Sequence, residues 1–387
     1  MSTPKLIRPQ NSADTNAEGW VYHLSHTDLD GYGAQFMLKA AGVKTRCFNA
    51  DYRDIPLAVD KIVEQIIEAG EPASLLLTDL NLTLDQAEQI DKRIKKLKVP
   101  TTLQLLDHHA TGADCAAKFD WYYLDTERCA TKLAFEAVAD LMPEDQRAQY
   151  ALRADFVDMG DRWLKDEPLF RKSLYLLGLV MQDDHLAPPL ADIKRSYRFH
   201  VIEHFFQAHE RGENLESIER GLYDVRKNFL VGRIDAQDLN NPELPLNDKF
   251  HILSASVLDE TTVPMLDIDG VRTGIFFNWP HDVWRGVIMD MMETRHKMDM
   301  AIGVRGNGKL SLRANPGVDA GAISAKYFRG GGHPGAAGGE LRDNRLRDLD
   351  HAVSSIKQTI NPAPPVATAK LGSMITIQPP RKGAQKK

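Results

Sequence analysis

Carboxylates and imidazoles follow short apolar runs at three places in the first third of the sequence. They are Asp28 and Asp30, then Asp79, then the triplet Asp107-His108-His109. Oxygen and imidazole ligands without a thiolate suit manganese, with magnesium, iron, cobalt or zinc as alternatives. Several carboxylates crowded together repel one another unless a cation neutralises them. These residue types therefore predict a centre that holds two divalent metal ions.

The apolar runs that precede these side chains are typical of buried strands. They cover residues 20–24, 73–77 and 102–106, and stretches with helical periodicity lie between them at 57–69 and 84–97. Strands alternating with helices predict an α/β fold with a doubly wound parallel sheet. In such a sheet the functional crevice lies beyond the carboxyl ends of the strands, where all three groups of polar residues fall.

A pair of divalent ions at this edge would serve phosphoryl transfer. Two ions about 3.5–4 Å apart can activate a water and stabilise both the attacking and the leaving oxygen of an in-line displacement. Gly31 and Gly33 follow the first carboxylate pair, and we expect them to let the backbone approach a bound phosphate closely. The sequence thus predicts a metal-dependent phosphoesterase.

A second region begins near residue 249, where strand-like runs return. They cover residues 250–257, 272–279, 300–304 and 309–313, and the last two are joined by a tight turn at Asn307-Gly308. A helix-like stretch at 320–328 leads into Gly330-Gly331-Gly332-His333. Successive glycines can present several N–H groups to one anion, and an arginine can bind phosphate through two hydrogen bonds. We therefore expect Gly331, Gly332, His333 and Arg313 to bind a substrate phosphate.

A competing motif lies in the helical middle of the chain. His200, Glu203 and His204 match the H-x-x-E-H pattern of inverted zinc peptidases. The match has no identifiable third ligand, so a helix with surface histidines is the favoured interpretation.

Bulk properties limit the remaining classes of function. The 387 residues allow two domains, and a net charge of −6 argues against broad coating of nucleic acid. Three cysteines without a close pair indicate a reducing compartment. The N-terminus lacks the apolar core of a signal peptide, and no apolar stretch is long enough for a membrane span. We expect a cytoplasmic protein without membrane contact.

Two sets of motifs resemble those of the DHH phosphoesterase family. The segment from His26 to Gly31, Asp79 and the Asp107-His108-His109 triplet resemble its first three motifs, and the segment 330–338 resembles the GGGH signature of its DHHA1 domain. The resemblance implies one ion on His26, Asp28 and Asp79, and a second on Asp30, Asp79 and His108. It further implies that Asp107 orients ligands and that His109 faces the substrate phosphate.

The fourth motif of that family supplies one more aspartate. Asp158 and Asp161 both fit, within the segment 156–163. An Asp-x-Gly reading selects Asp158 and an Asp-x-Trp reading selects Asp161. We favour Asp161 slightly, and Asp158 stays open.

These features together predict the organisation of the chain. It consists of a flexible leader (1–18), a DHH catalytic domain (19–190), a helical connector (191–248), a smaller DHHA1-like domain with a mixed sheet (249–356) and a disordered basic tail (357–387). We expect a two-manganese enzyme, with Mg2+ or Co2+ as substitutes, that hydrolyses short oligonucleotides or small nucleotides in a cleft between the domains, either as a monomer or as a homodimer.

Two alternatives accompany this prediction. Within the same family, the substrate could instead be polyphosphate or single-stranded DNA. In another class, the chain would bind nucleotides as a sensor without turnover.

Overall fold

The computed structural model describes residues 4–7, 19–182, 186, 188–256, 263–279 and 298–362. The chain forms two compact units. The first unit comprises Met1–Thr262 with Trp279–His296, and the second comprises Val263–Asn278 with Lys297–Lys387. The helices predicted as a connector thus belong to the first unit, and the second unit begins at Val263 rather than at residue 249.

A parallel sheet forms the centre of the first unit. Its strands are β1 (Trp20–Ser25), β2 (Thr45–Asn49), β3 (Ala73–Thr78), β4 (Thr101–Asp107) and β5 (Tyr122–Leu124). They lie in the order β2-β1-β3-β4-β5, and each neighbouring pair is parallel. The order reverses between β1 and β3, which is the position where doubly wound sheets bind ligands. The predicted fold class is confirmed.

Helices surround this sheet and extend the unit. They are α1 (Leu29–Ala40), α2 (Ile55–Ala69), α3 (Leu84–Lys95), α4 (Ala113–Lys118), α5 (Ala130–Val138), α6 (Glu144–Asp161), α7 (Phe170–Met181), α8 (Ala191–Glu210), α9 (Leu215–Leu230), α10 (Ala236–Asn240) and α11 (Leu246–Ala255). Two apolar clusters fill the two faces of the sheet, one beneath α1 and α5 to α8, and the other beneath α2 and α3. Burial on both faces explains why the strands are continuously apolar.

One predicted strand is a helix. The run 250–257 was expected to begin the second sheet, whereas α11 spans Leu246–Ala255 and buries Phe250 and Leu253 against the helical part of the first unit. A short buried apolar run has no periodicity that separates strand from helix. The two residues are three positions apart, which places them on one helix face.

The second unit contains a mixed sheet. Its elements are β6 (Met265–Ile268), β7 (Val271–Phe277), β8 (Met300–Val304), β9 (Lys309–Ala314), α12 (Ala320–Tyr327), β10 (Gly331–His333), β11 (Ala336–Glu340) and α13 (Leu349–Ile360). The strand order is β10-β11-β9-β8-β7-β6, and only β7 and β8 run parallel among these described strands. The predicted turn at Asn307-Gly308 is confirmed, since Gly308 has a φ of +79° and donates to Arg305.

Part of the predicted leader is held against the first sheet. The Ile7 N–H donates to Gln104 Oε1 at 2.9 Å, and Ser74 Oγ donates to the Ile7 carbonyl at 2.8 Å. Residues 4–7 therefore pack beside β3 and β4. The predicted tail begins at residue 357, whereas a helix continues to Ile360. The rest of the leader, and the chain beyond residue 362, lie outside the described residues.

Within the described part of the chain, no helix combines the length and the apolarity that a membrane crossing requires.

Two glycines in α1 allow close packing inside the protein. A Cβ at Gly31 would overlap the backbone of His26, and a Cβ at Gly33 would overlap Thr131 Oγ1 of α5. Both positions therefore face protein atoms rather than a bound phosphate, which corrects the prediction made for them. Gly33 lets α1 and α5 approach each other.

This contact makes Gly33→Ala a specific test of the fold. We expect the added methyl group to force α5 away and to lower the free energy of unfolding by about 1–3 kcal/mol, as overpacking does. Gly178→Ala in α7 is the matched control, because a Cβ there meets no atom within 4 Å. The control should stabilise the helix by about 0.5–1 kcal/mol. Urea unfolding followed by circular dichroism measures both, and equal effects would contradict the packing.

Candidate metal centre

The predicted ligand residues converge at the carboxyl edge of the first sheet. His26 and Asp28 follow β1, Asp79 follows β3, and His108 follows β4. His108 Nε2 lies 3.4 Å from Asp79 Oδ1 and 3.6 Å from Asp30 Oδ2. Side chains from separate segments therefore surround one small volume.

Asp79 occupies the middle of this group. It has a φ of +58°, a left-handed conformation that aspartate adopts more readily than most residues. Its backbone N–H donates to the Leu106 carbonyl at 3.1 Å, which fixes the turn at the end of β3. Its carboxylate is almost fully buried and lies between His26 and His108.

Asp28 and His26 form the side of the site nearest β1. Asp28 is the N-cap of α1 and accepts a hydrogen bond from the Gly31 N–H at 3.0 Å. Its other oxygen accepts from His26 Nδ1 at 2.7 Å. Burial opposes ionisation of Asp28, but the hydrogen bond and charge of His26 outweigh it and lower the pKa of Asp28 to about 2. The same pair raises the pKa of His26 against the opposing effect of burial.

Asp30 is anchored by the start of α5. Its two oxygens accept hydrogen bonds from the N–H groups of Ala130 at 2.8 Å and Thr131 at 2.7 Å. Thr131 Oγ1 donates in turn to the Asp30 carbonyl at 2.8 Å. A helix N-terminus stabilises a buried carboxylate in this way. The side chain of Asp30 is therefore held rigidly while Oδ2 still faces His108.

The two aspartates of the fourth motif have different positions. Asp161, the last residue of α6, places Oδ2 at 3.4 Å from His108 Nε2. Asp158 instead accepts from the Cys129 N–H at 2.6 Å, just before α5, and lies 3.4 Å from Arg162. The geometry brings Asp161 into the cluster and gives Asp158 a role at the helix terminus.

Asp107 and His109 form a buried hydrogen-bonded chain beside the cluster. Asp107 Oδ2 accepts from the Tyr122 hydroxyl at 2.6 Å, and Oδ1 accepts from His109 Nδ1 at 2.8 Å. The hydrogen bond from Asp107 raises the pKa of His109. Asp107 thus holds His109 Nδ1, and His109 Nε2 lies 3.4 Å from the Tyr52 hydroxyl at the rim of the site.

The carboxylates repel one another strongly. Burial, followed by the charges of Asp30 and Asp28, raises the pKa of Asp79 well above its ordinary value. Burial and the same two charges raise the pKa of Asp161 to about 9. Folding has therefore concentrated negative charge where the free protein cannot easily keep it ionised.

A divalent cation would remove this conflict, and the donor atoms fit one. Three overlapping sets each place their ligand atoms within 4.8 Å of one another, and they are Asp79-His108-His109, His26-Asp28-Asp79 and Asp30-His108-Asp161. Asp79 Oδ2 and His108 Nε2 are buried without a hydrogen-bond partner among the described residues. Such atoms are normally satisfied in folded proteins, so both are available for coordination.

The sequence interpretation missed two residues at the rim. Asp51 and Tyr52 follow β2, and the Tyr52 ring stacks on His26 with centroids 4.7 Å apart and meets His109 edge-on at 6.2 Å. Its hydroxyl lies 3.4 Å from His109 Nε2, and Asp51 lies 3.9 Å from His26 Nε2. Thr45–Asn49 is a strand that ends at the same edge of the sheet, but it is short and partly buried, and its sequence lacks the continuous apolar run of the other strands.

The competing H-x-x-E-H motif does not form a metal site. His200 Nδ1 contacts the Ser196 carbonyl at 2.7 Å and His204 Nε2 contacts the Ile218 carbonyl at 3.1 Å. Glu203 pairs with the buried Arg153 at 3.2 Å. None of the ligand sets among the described residues includes them. The motif is part of helix packing.

The glycine-rich segment of the second unit is a strand. Gly331–His333 forms β10, which pairs with β11, and Gly332 has a φ of +151°. Arg313 on β9 pairs with Ala336 on β11, and Ala336 pairs with His333 on β10. Paired residues of adjacent strands share a face. Arg313 and His333 thus flank one small residue, two strand spacings or about 9–10 Å apart.

A doubly wound sheet whose carboxyl edge carries this carboxylate and imidazole cluster defines the class of metal-binding α/β hydrolases. Residues 269–361 match the DHHA1 domain. A Helicobacter pylori protein named 3′,5′-cyclic-nucleotide phosphodiesterase is 30% identical over 355 residues, which cover 87% of this chain and 98% of that protein. The crystal structure of an uncharacterized protein from Helicobacter pylori G27 aligns with a TM-score of 0.78 at 25% identity, over 89% of this chain and 99% of that one.

The chain belongs to the DHH phosphoesterase family, and the predicted resemblance is confirmed. It is a hydrolase of phosphoesters, and its family depends on metal ions. The sensor without turnover is therefore set aside.

The different positions of Asp161 and Asp158 generate a prediction about stability. The pKa of Asp161 in the folded protein lies above the ordinary aspartate value. The contribution of this carboxyl group to stability therefore falls as the pH rises from about 4 toward 9. At pH 8 we therefore expect Asp161→Asn to raise the melting temperature of the chelator-treated protein by about 2–4 °C, equivalent to about 1 kcal/mol. The same variant should lose most of the rise that added Mn2+ produces. Differential scanning fluorimetry with and without Mn2+ measures both effects.

Asp158→Asn is the matched control for this prediction. It should lower the melting temperature, because it weakens the cap of α5, while the response to Mn2+ is retained. The opposite assignment of the two residues would follow if Asp158→Asn abolished the response and Asp161→Asn preserved it.

Proposed function

We propose that the chain is a manganese-dependent enzyme that hydrolyses phosphoester bonds of short oligonucleotides or small nucleotides. The observation that supports this proposal most directly is the convergence on Asp79 and His108. Their unpartnered, buried atoms lie where the three ligand sets overlap. Crowded carboxylates, of which Asp79 and Asp161 have raised pKa values, suit a pair of divalent ions.

In this proposal His26, Asp28 and Asp79 hold one ion, and Asp30, Asp79, His108 and Asp161 hold the other. Asp79 serves both, since it lies between His26 and His108. When bound, such a pair lowers the pKa of a water and stabilises the charge that develops on the phosphoryl oxygens. The anchoring of Asp30 on α5 and of Asp28 on α1 positions these ligands before any ion binds.

His109 is the proposed donor to the substrate phosphate. Asp107 holds Nδ1, so a proton on Nε2 can be presented to a phosphate oxygen or to the leaving oxygen. Tyr122 fixes the far side of Asp107. The chain of three side chains keeps the ring in one orientation, as catalysis requires.

Arg313 and His333 of the second unit are proposed to bind a phosphate of the substrate, together with the backbone of Gly331 and Gly332. Their place on one face of the sheet, with only Ala336 between them, leaves room for an anion that contacts both. The Arg313 guanidinium keeps donors beyond the one given to the Leu312 carbonyl at 2.7 Å.

The name of the relative supports a nucleotide substrate. A protein named as a 3′,5′-cyclic-nucleotide phosphodiesterase matches this chain over nearly its whole length, which makes cyclic nucleotides a second candidate with the same bond chemistry. The other two substrates named for the family, polyphosphate and single-stranded DNA, have no comparable support.

A substrate panel tests this function. The purified chain, treated with chelator and then given Mn2+, should hydrolyse a generic phosphodiester reporter and nucleotide substrates, and no turnover should occur before Mn2+ is added. The panel contains diribonucleotides, longer RNA, single-stranded DNA, 3′,5′-cyclic nucleotides, nucleoside bisphosphates and polyphosphate, with products identified by mass spectrometry. Consumption of polyphosphate or long DNA far faster than any small nucleotide would refute the proposal.

The role of His109 generates a separate prediction. His109→Ala should lower kcat on a dinucleotide by roughly 10²–10⁴-fold, the range for loss of a proton donor. Its melting temperature should still rise with Mn2+, because the other ligands remain. His200→Ala, which removes an exposed histidine of α8, is the control and should keep full activity. Loss of the Mn2+ response in His109→Ala would instead identify His109 as a ligand.

A further inference from the structure

A groove runs along the outer face of the first unit, between α2 and α3, and has no part in the metal centre. Its volume is about 390 Å³. Pro56, Val59 and Ile90 form an apolar floor, and Lys92 and Lys96 stand on one wall. An apolar floor beside cationic side chains can contact a nucleotide chain, because bases are apolar on their faces and phosphates are anionic.

One end of the groove lies at the carboxyl edge of the sheet, where the metal centre also lies. Both helices begin at the carboxyl edge of the sheet, since α2 follows β2 and α3 follows β3. Gln86, which lines the groove in the first turn of α3, donates from Nε2 to the Tyr52 carbonyl at 3.5 Å. Tyr52 in turn stacks on His26 at the metal centre. One end of the groove thus lies beside Tyr52, at the rim of the site.

The far end of the groove carries a concentration of positive charge. Five of the seven residues from Lys92 to Lys98 are lysine or arginine, in a chain whose net charge is −6. Arg93 is paired with Asp60 at 2.9 Å and Lys95 with Asp91 at 2.8 Å. Lys92 and Lys96 form no ion pair among the described residues, although Glu88 lies near Lys92 and is itself bound by Lys118 at 2.5 Å. Two lysines therefore remain available to an anion.

The length of the groove defines how much substrate it accepts. Gln86 lies in the first turn of α3, and Lys96 directly follows its last residue. This separation of ten residues corresponds to about 15 Å along a helix. A stacked strand advances about 3.4 Å for each nucleotide, so about four nucleotides span this distance.

We propose that the α2–α3 groove binds the part of a single-stranded oligonucleotide that extends beyond the scissile bond, with Lys92 and Lys96 on its phosphates. This inference rests on the proposed function and narrows it to linear strands longer than two nucleotides. A cyclic mononucleotide would occupy the metal centre without reaching the groove.

Chain-length dependence of turnover tests the proposal. The double variant Lys92→Gln/Lys96→Gln is compared with Lys61→Gln/Lys227→Gln, which removes two exposed lysines outside the groove and changes the net charge equally. The measured quantity is kcat/KM for a hexaribonucleotide divided by kcat/KM for a diribonucleotide, in Mn2+. We expect the ratio to fall at least about threefold in the groove variant, the size of effect that two exposed charges produce, and to stay unchanged in the control. An equal ratio in both double variants would show that the groove does not bind the strand.

A binding measurement keeps this test separate from the proposed activity. Fluorescence anisotropy of a labelled hexaribonucleotide, in chelator so that no turnover occurs, is recorded at several salt concentrations. Loss of two phosphate contacts should reduce the slope of log K against log salt by about 1.4, or about 0.7 for each contact. An unchanged slope would refute the proposal even if the enzyme is active. If the enzyme proves inactive, a reduced slope would still support the groove.

Polyphosphate serves as competitor in the same experiment. The apolar floor contributes only to a strand with bases, so polyphosphate of equal phosphate number should compete weakly. Displacement of the labelled strand at equal concentrations would show that charge alone is recognised and would overturn the assignment to an oligonucleotide.

Discussion

Repulsion among buried carboxylates is the constraint on which the arrangement of the first unit depends. Burial, followed by the charges of Asp30 and Asp28, raises the pKa values of Asp79 and Asp161. A fold keeps such a group together only if other interactions hold each carboxylate in place. Here the start of α1 holds Asp28, the start of α5 holds Asp30, and the turn after β3 holds Asp79. A bound cation would favour the ionised form of these carboxylates.

The packing of α1, α5 and α6 explains how the carboxylates are held in place. The close approach of α1 and α5 at Gly33 brings the N–H groups of Ala130 and Thr131 to Asp30. Asp158, which lies on α6, caps the start of α5, and α6 itself ends at Asp161. Three helices thus share one set of contacts, so the ligand positions depend on packing well away from the metal centre itself.

Much of this centre could be predicted from the sequence, because the residues that follow parallel strands all lie at one edge of the sheet. Asp28, Asp79 and His108 follow that rule directly. The choice between Asp158 and Asp161 could not be made in the same way, since both lie near the end of one helix and only the packing of α6 against α5 separates them. Tyr52 was missed because β2 is short and only partly buried, so its sequence lacks the continuous apolar character of the other strands.

In the second region, local sequence patterns predicted the secondary structure less well. The segment 250–257 has the composition of a strand and folds as part of a helix, because it is buried against other helices rather than beside strands. The glycines near His333 pair as a strand, and Gly332 is required there because a Cβ would overlap Ala336 and Ala337, whereas a Cβ at Gly331 would meet no atom within 4 Å. The register that aligns Arg313 with His333 depends on pairing between strands, which no local pattern reveals.

The loop that carries Asp51 and Tyr52 has a different relation to the metal centre from every other loop described. It follows β2, the edge strand of the sheet, and supplies none of the buried carboxylates. Substitutions there can alter what lies over the histidines without disturbing the packing that holds Asp30 or Asp79. In a lineage under selection for a new nucleotide, this loop would be free to diversify while the catalytic scaffold stayed intact.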